Sequence, residues 1–131
     1  MVYEQLRQYL RTPVIVQWVS MKQSTHEAIK AQLYVLGFRL GYISVLEANG
    51  NNGKDRKRID CAFVKNGKIA CAIEIDNSLK MNSINKLHQL SDDVEKIIIS
   101  YGRQAARSKA LYRHKDKLNG IKHFILYPII A

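Results

Sequence analysis

Arg58-Ile59-Asp60-Cys61-Ala62-Phe63-Val64 and Lys68-Ile69-Ala70-Cys71-Ala72-Ile73-Glu74-Ile75-Asp76, joined through Lys65-Asn66-Gly67, are the two runs on which the reading of this chain turns. Apolar residues hold the odd positions (Ile59, Cys61, Phe63, Ile69, Cys71, Ile73, Ile75), and the acids Asp60, Glu74 and Asp76 are all even. Side chains alternate across a strand, so this period predicts a β-hairpin with carboxylates on one face and a core on the other.

The turn sets the register. A two-residue Asn66-Gly67 loop pairs Lys65 with Lys68, sets Asp60 opposite Ile73 and splits the acids between the faces. A type I turn at Lys65-Asn66 with Gly67 as a left-handed bulge residue pairs Val64 with Lys68, Cys61 with Cys71 and Asp60 with Ala72. The bulged register is the expected one. It collects the odd apolar residues on one face and the three acids on the other, beside the small Ala62, Ala70 and Ala72.

At 131 residues and 47% hydrophobic, the chain is expected to form a single domain with its own core. No apolar run approaches the roughly 18 to 20 residues of a membrane span. The opening Met1-Val2-Tyr3-Glu4-Gln5-Leu6-Arg7 lacks a charged-then-apolar signal pattern, so a cytoplasmic protein with no membrane partner is expected. Cys61 and Cys71 are too few for a disulfide scaffold and read as reduced core thiols. Charge is the strongest global signal: 21 Lys and Arg against 11 Asp and Glu, a formal +10, which points to a polyanionic partner such as DNA or RNA. The excess is concentrated. Arg103, Arg107, Lys109, Arg113, Lys115, Lys117 and Lys122 face only Asp116 in their segment, and Lys54, Arg56, Lys57 and Arg58 flank the hairpin.

Outward from the hairpin, residues 2–11 form an amphipathic helix with Val2, Leu6, Tyr9 and Leu10 on one stripe, stopped by Thr12-Pro13. Val14 to Val19 reads as extended. Ser24 and Glu27 form a capping box that opens a helix with stripe Ala28, Ile29, Leu33 and Leu36, ending at Gly37. A strand at Tyr42 to Leu46 and a polar loop from Ala48 to Asp55 lead into the hairpin. After it, Asn77 or Ser78 caps a helix with stripe Ile84, Leu87 and Leu90, and the apolar run Glu95 to Ser100 is a strand buried on both faces. Arg103 to Leu118 is a basic helix closed by Gly120, and Lys122 to Leu126 is the last strand. The fold class is therefore α/β with a mixed sheet, helices covering its faces and an extra N-terminal helix.

Carboxylates clustered on adjacent strands beside basic surfaces suit a Mg²⁺ or Mn²⁺ site acting on phosphodiesters, because the cation neutralises charge, orients water and stabilises the leaving oxygen. At these residues the chain resembles the PD-(D/E)XK nuclease superfamily, the restriction-endonuclease-like fold of restriction enzymes, archaeal Holliday junction resolvases and repair nucleases. That family's core runs helix, three antiparallel strands, helix, strand (αβββαβ), with an Asp on the second strand and (D/E)XK on the third. Asp60 matches the Asp, and Glu74-Ile75-Asp76 matches (D/E)XK after thirteen intervening residues. By topology the resemblance covers residues 24–101 as the core, with 1–20 as an N-terminal extension and 102–131 supplying the basic helix and last strand. By residue identity it rests on three or four positions. Ile59 stands where the family often has Pro, and Asp76 stands where it has Lys.

The resemblance implies a metal-dependent DNA endonuclease, either structure-specific in the manner of a junction resolvase or of a restriction or repair type. It implies Asp60, Glu74, the Ile75 carbonyl and Glu27 around the metal, and Asp76, Lys80 or Lys86 in the catalytic set, with the lysines taking over water orientation. Glu27 is equally accounted for by the capping box. His26 and Glu47 are further candidates. DNA phosphates would be gripped by Lys54, Arg56, Lys57, Arg58, Arg103, Arg107, Lys109, Arg113 and Lys115, and double-strand cutting implies a homodimer. Two other readings stand beside this one: a catalytically inactive nucleic-acid-binding protein of the same fold, and an interaction subunit whose acidic face docks a basic partner.

Overall fold

The structure, a computed structural model, describes residues 1–10, 15–16, 21–49, 58–101, 113, 115–126 and 129–130. Its elements are α1 (Val2–Tyr9), β1 (Ile15–Val16), α2 (Met21–Arg39), β2 (Ile43–Asn49), β3 (Arg58–Lys65), β4 (Lys68–Asp76), α3 (Met81–His88), β5 (Glu95–Tyr101), β6 (Ile121–Leu126) and β7 (Ile129–Ile130). A five-stranded mixed sheet in the order β2-β3-β4-β5-β6 is antiparallel from β2 to β4 and parallel from β4 to β6. β1 and β7 form a separate two-stranded parallel pair. The expected mixed α/β architecture holds.

Two apolar clusters lie on opposite faces of the sheet. α1 and α2 pack Val2, Leu6, Leu10, Ile29, Leu33 and Leu36 onto Cys61, Phe63, Cys71, Ile73, Ile75, Ile97 and Ile99. α3 packs Ile84 and Leu87, with Leu79 just before it, onto Ala62, Ala72 and Ile98. β5 and the second half of β4, covered on both faces, are buried at successive positions, and β3 is buried in the same way over Cys61, Ala62 and Phe63. Each fully buried leucine or isoleucine contributes about 1.5–3 kcal/mol relative to exposure, so the two clusters dominate stability.

The hairpin register differs from the expected one. Lys65 pairs with Lys68 across Asn66-Gly67, whose φ values of 54° and 75° are those of a tight two-residue hairpin turn. Val64 then pairs with Ile69, but Phe63 pairs with Cys71, so Ala70 is the extra residue. The bulge therefore sits inside β4 and not at Gly67, and Cys61 faces Ile73 while Cys71 faces Phe63. Below the bulge the even residues of both strands regain a common face, and Ala62 pairs with Ala72. Above it Ile69 is switched to the α3 side, and Ile59 also joins that cluster, so not every odd apolar residue shares a face. Both cysteines are buried free thiols, Cys61 being pushed up to about 12 chiefly by burial.

Several boundaries move for stated reasons. α2 begins at Met21, three residues before Ser24, so the capping box does not open it. It also runs through Gly37 to Arg39. A Cβ at Gly37 would lie 2.0 Å from Ser44 Oγ and 2.7 Å from Phe63 Cε1, so this glycine marks where α2 crosses the sheet. Beyond Arg39 the chain turns off at Gly41, with φ of +88°, where the Tyr42 N–H donates to the Gly37 carbonyl and the Gly41 N–H to the Phe38 carbonyl. α3 is preceded by Lys80 in extended conformation, so Asn77 and Ser78 are not its caps. β2 continues to Asn49, taking Ala48 out of the expected loop. Of the expected basic helix, residues 103–112 and 114 lie outside the described residues, and Lys115–Leu118 form a 3₁₀ turn.

Candidate functional site

β4 and β5 are parallel neighbours that end at Asp76 and Tyr101. The crevice beyond the carboxyl ends of such strands is where open α/β sheets bind ligands. Here it is a cleft of about 310 Å³ lined by His26 of α2, Asp60 of β3, Glu74, Ile75 and Asp76 of β4, Asn77, Lys80, Asn82, Ser83 and Lys86 on and before α3, and Tyr101 of β5. The floor is formed by the strands, and the walls by α2 on one side and α3 on the other.

The hairpin register creates the acidic floor. One step past the Cys61–Ile73 pair, the ladder gives way to side-chain bonds: the Asp60 N–H donates to Glu74 Oε2 at 2.8 Å, and the Ile75 N–H donates to Asp60 Oδ2 at 2.8 Å. Each carboxylate thus holds the other strand's backbone. Glu74 is 1% exposed and its Oε1 pairs with the Lys86 ammonium, which also donates to the Arg58 carbonyl at 3.0 Å. Burial pushes Glu74 up to about 7, the Asp60 charge adds to the rise, and Lys86 opposes it. Asp76 is 8% exposed, and burial raises its carboxyl as well. Ser83 hydrogen-bonds that carboxylate, while Oδ2 is buried with no hydrogen-bond partner. Tyr101 is raised by burial and then by the charges of Asp76 and Asp60.

Of the residues singled out from sequence, Asp60, Glu74, Ile75, Asp76, Lys80, Lys86 and His26 line one cleft. Glu27 does not: it is exposed on α2 and pairs with Lys30 at 3.8 Å. Glu47 takes a left-handed φ of 53° and accepts from Lys30 Nζ at 2.8 Å, an interaction that raises the lysine. Arg58, Arg113 and Lys115 are exposed, while Lys54, Arg56, Lys57, Arg103, Arg107 and Lys109 lie outside the described residues. Sequence reading missed Tyr101, Asn77, Asn82 and Ser83. A signal existed for Ser83, because Lys80, Ser83 and Lys86 recur every three residues on α3, a polar stripe beside the buried Ile84 and Leu87.

Among the described residues no group of three or more His, Cys, Asp or Glu side chains is arranged to hold a metal ion. The oxygen donors at hand are the Asp60 and Glu74 carboxylates, the Ile75 carbonyl and the unpartnered Oδ2 of Asp76. Such a donor set fits Mg²⁺ or Mn²⁺ better than zinc, since Mg²⁺ is commonly held by one or two carboxylates with water and substrate phosphate filling the rest. No helix of the described residues is long and apolar enough to cross a membrane. Compared with family models, with curated proteins and with solved structures, the chain has no significant match.

Proposed function

We propose that this chain is a Mg²⁺- or Mn²⁺-dependent deoxyribonuclease that hydrolyses phosphodiester bonds in the cleft between α2 and α3. The observation that carries the reading is the hydrogen-bonded pairing of Asp60 with the buried Glu74 on the strand ends, with the orphaned Asp76 oxygen beside them and lysines on the facing wall. The half-buried Asp60 carboxylate beside the buried Glu74 disfavours ionising both, and a cation there would relieve that repulsion further than Lys86 already does. The metal, when bound, would neutralise the phosphate and activate water. Asp60, Glu74 and the Ile75 carbonyl would hold it, and Asp76 would lie at its edge. Lys86, already bonded to Glu74, and Lys80 would orient water and phosphate from the α3 wall. The match of Asp60 and Glu74-Ile75-Asp76 to the PD-(D/E)XK pattern supports the same assignment. The exposed Arg58, Arg113 and Lys115, within a chain of formal charge +10, supply phosphate contacts. Two copies would cut two strands.

One observation favours a second reading. The Lys86 ammonium already occupies the Glu74 carboxylate, as it would in a DNA-binding protein of this fold that has lost catalysis. A single experiment separates the two. The purified chain is incubated with plasmid, single-stranded and four-way-junction DNA in Mg²⁺, Mn²⁺ or EDTA. The nuclease reading expects metal-dependent cleavage that Asp60→Ala and Glu74→Ala abolish, and cleavage unaltered in both variants overturns it. DNA that is bound with steep salt dependence and left intact in either metal supports the inactive reading.

A further inference from the structure

The proposed metal and lysine set leaves one wall of the cleft without a role. α3 presents Lys80, Ser83 and Lys86, whereas α2, on the opposite face of the sheet, presents His26. Its imidazole, half-buried, meets the ring of Tyr101 edge-on, with centroids 6.3 Å apart and planes at 61°. Tyr101 is itself 7% exposed at the end of β5, so the ring against which the histidine packs is a buried one.

Phosphodiester hydrolysis is an in-line displacement, in which the attacking and leaving oxygens lie on opposite sides of phosphorus. A phosphodiester seated over Asp60 and Glu74, with its attacking water on the lysine-bearing α3 side, directs its leaving oxygen toward α2. Imidazole is the side chain best suited to donate a proton near neutral pH. We infer that His26 is the general acid of the proposed reaction, protonating the leaving oxygen from the α2 wall. In this step a water oxygen forms a bond to phosphorus and the bond to the leaving sugar oxygen breaks. The proton on a His26 ring nitrogen passes to that oxygen, giving an alcohol. The water's proton departs to solvent, from which the imidazole is recharged through the open mouth of the cleft.

The inference rests on the phosphodiesterase reading, and its test separates the two. Wild type, His26→Ala and His26→Asn are assayed in Mn²⁺ on an ordinary DNA strand. They are also assayed on strands carrying sulfur in place of the bridging 3′ or 5′ oxygen, whichever bond the wild type breaks. A thiolate leaves without protonation. The expected result is a loss of about a hundredfold or more on the oxygen substrate for both variants, with near wild-type rates on the sulfur substrate. Rescue by sulfur also shows that the variants are folded. An equal loss on both substrates, in variants whose melting matches wild type, overturns the role of His26 and leaves the nuclease reading intact. Should His26→Ala melt early, His26→Asn, which keeps a polar group of similar size, decides the matter on the same two substrates. A wild-type protein inactive on both strands overturns the nuclease reading and this role with it.

Discussion

The backbone N–H of Asp60 donates to the Glu74 carboxylate at 2.8 Å, and Asp60 returns the bond by accepting the N–H of Ile75, next to Glu74, at 2.8 Å. This clasp is both structure and candidate site: it closes the end of the hairpin, and it brings the half-buried Asp60 carboxylate against the buried Glu74. Glu74 is consequently raised from its ordinary 4.5 to about 7. Between those values the folded chain holds a proton on Glu74 that the unfolded chain has released, so the stability contributed by this group is greatest below pH 4.5 and is lost as pH climbs through 7. The loss from this group is on the order of 3 kcal/mol. Thermal melts from pH 4.5 to 8 should show that decline in wild type and a flatter profile in Glu74→Gln. Added Mn²⁺ should raise wild-type melting most at the upper end of the range, where the carboxylate it would bind is ionised.

Gly37→Ala should destabilise the fold even though alanine is the better helix former by about 1 kcal/mol. Its methyl would stand 2.0 Å from Ser44 Oγ and within 2.8 Å of two Phe63 ring atoms, and the ring is fully buried. Overpacking of this kind costs about 1–3 kcal/mol, and here it exceeds the propensity gain. Adding Ser44→Ala should recover only part of the loss in a denaturant melt, because the Phe63 clash remains.

The same glycine illustrates where sequence reading stopped. A lone Gly after a helical stripe reads as a stop, but Gly37 is small because another element crosses it, and nothing local reports a crossing. The hairpin is legible in outline because strand alternation is written residue by residue, and Asp60, Glu74 and Asp76 line one cleft as their shared parity predicts. The bulge was assigned to Gly67 when it lies at Ala70, since any one inserted residue restores parity between Asp60 and Glu74. Lys80 and Lys86 are recognisable beside the acids, whereas His26 reads as a surface helix residue and joins the cleft only in the fold. Tyr101 was not, because it reaches the cleft only through the parallel pairing of β5 with β4, twenty-five positions after Asp76.

Glu95 should anchor the start of α1 from outside the helix. Its Oε1 accepts the Val2 N–H at 3.0 Å and its Oε2 the Tyr3 N–H at 2.9 Å, while Lys122 Nζ donates to Oε2 at 3.2 Å. A carboxylate at a helix N-terminus satisfies orphan donors and complements the dipole. Glu95→Ala strands two N–H groups and a lysine, and should cost about 2 kcal/mol. Glu95→Gln should cost less, since one acceptor remains. Hydrogen exchange should accelerate across Val2–Tyr9 in both variants, with β3 and β4 unaffected in Glu95→Gln.

Lys86→Gln tests whether the ammonium or merely its bulk holds the cleft together. Lys86 is the cation that opposes the rise of Glu74, and it also donates to the Arg58 carbonyl at 3.0 Å, tying α3 to the start of β3. Glutamine retains a donor for both partners but removes the charge. Glu74 should then titrate above 7, and the penalty should depend on pH: small near pH 5, where Glu74 is protonated in wild type as well, and growing toward pH 8 as the variant is left with an unpaired buried anion. Breaking a buried pair in this way costs about 3–5 kcal/mol at the ionised end. Melting curves of the two proteins should therefore diverge with rising pH, and a pH-independent offset would show that Lys86 acts only by packing. In the presence of Mn²⁺ the divergence should shrink, because a bound divalent cation at Asp60 and Glu74 compensates the same charge.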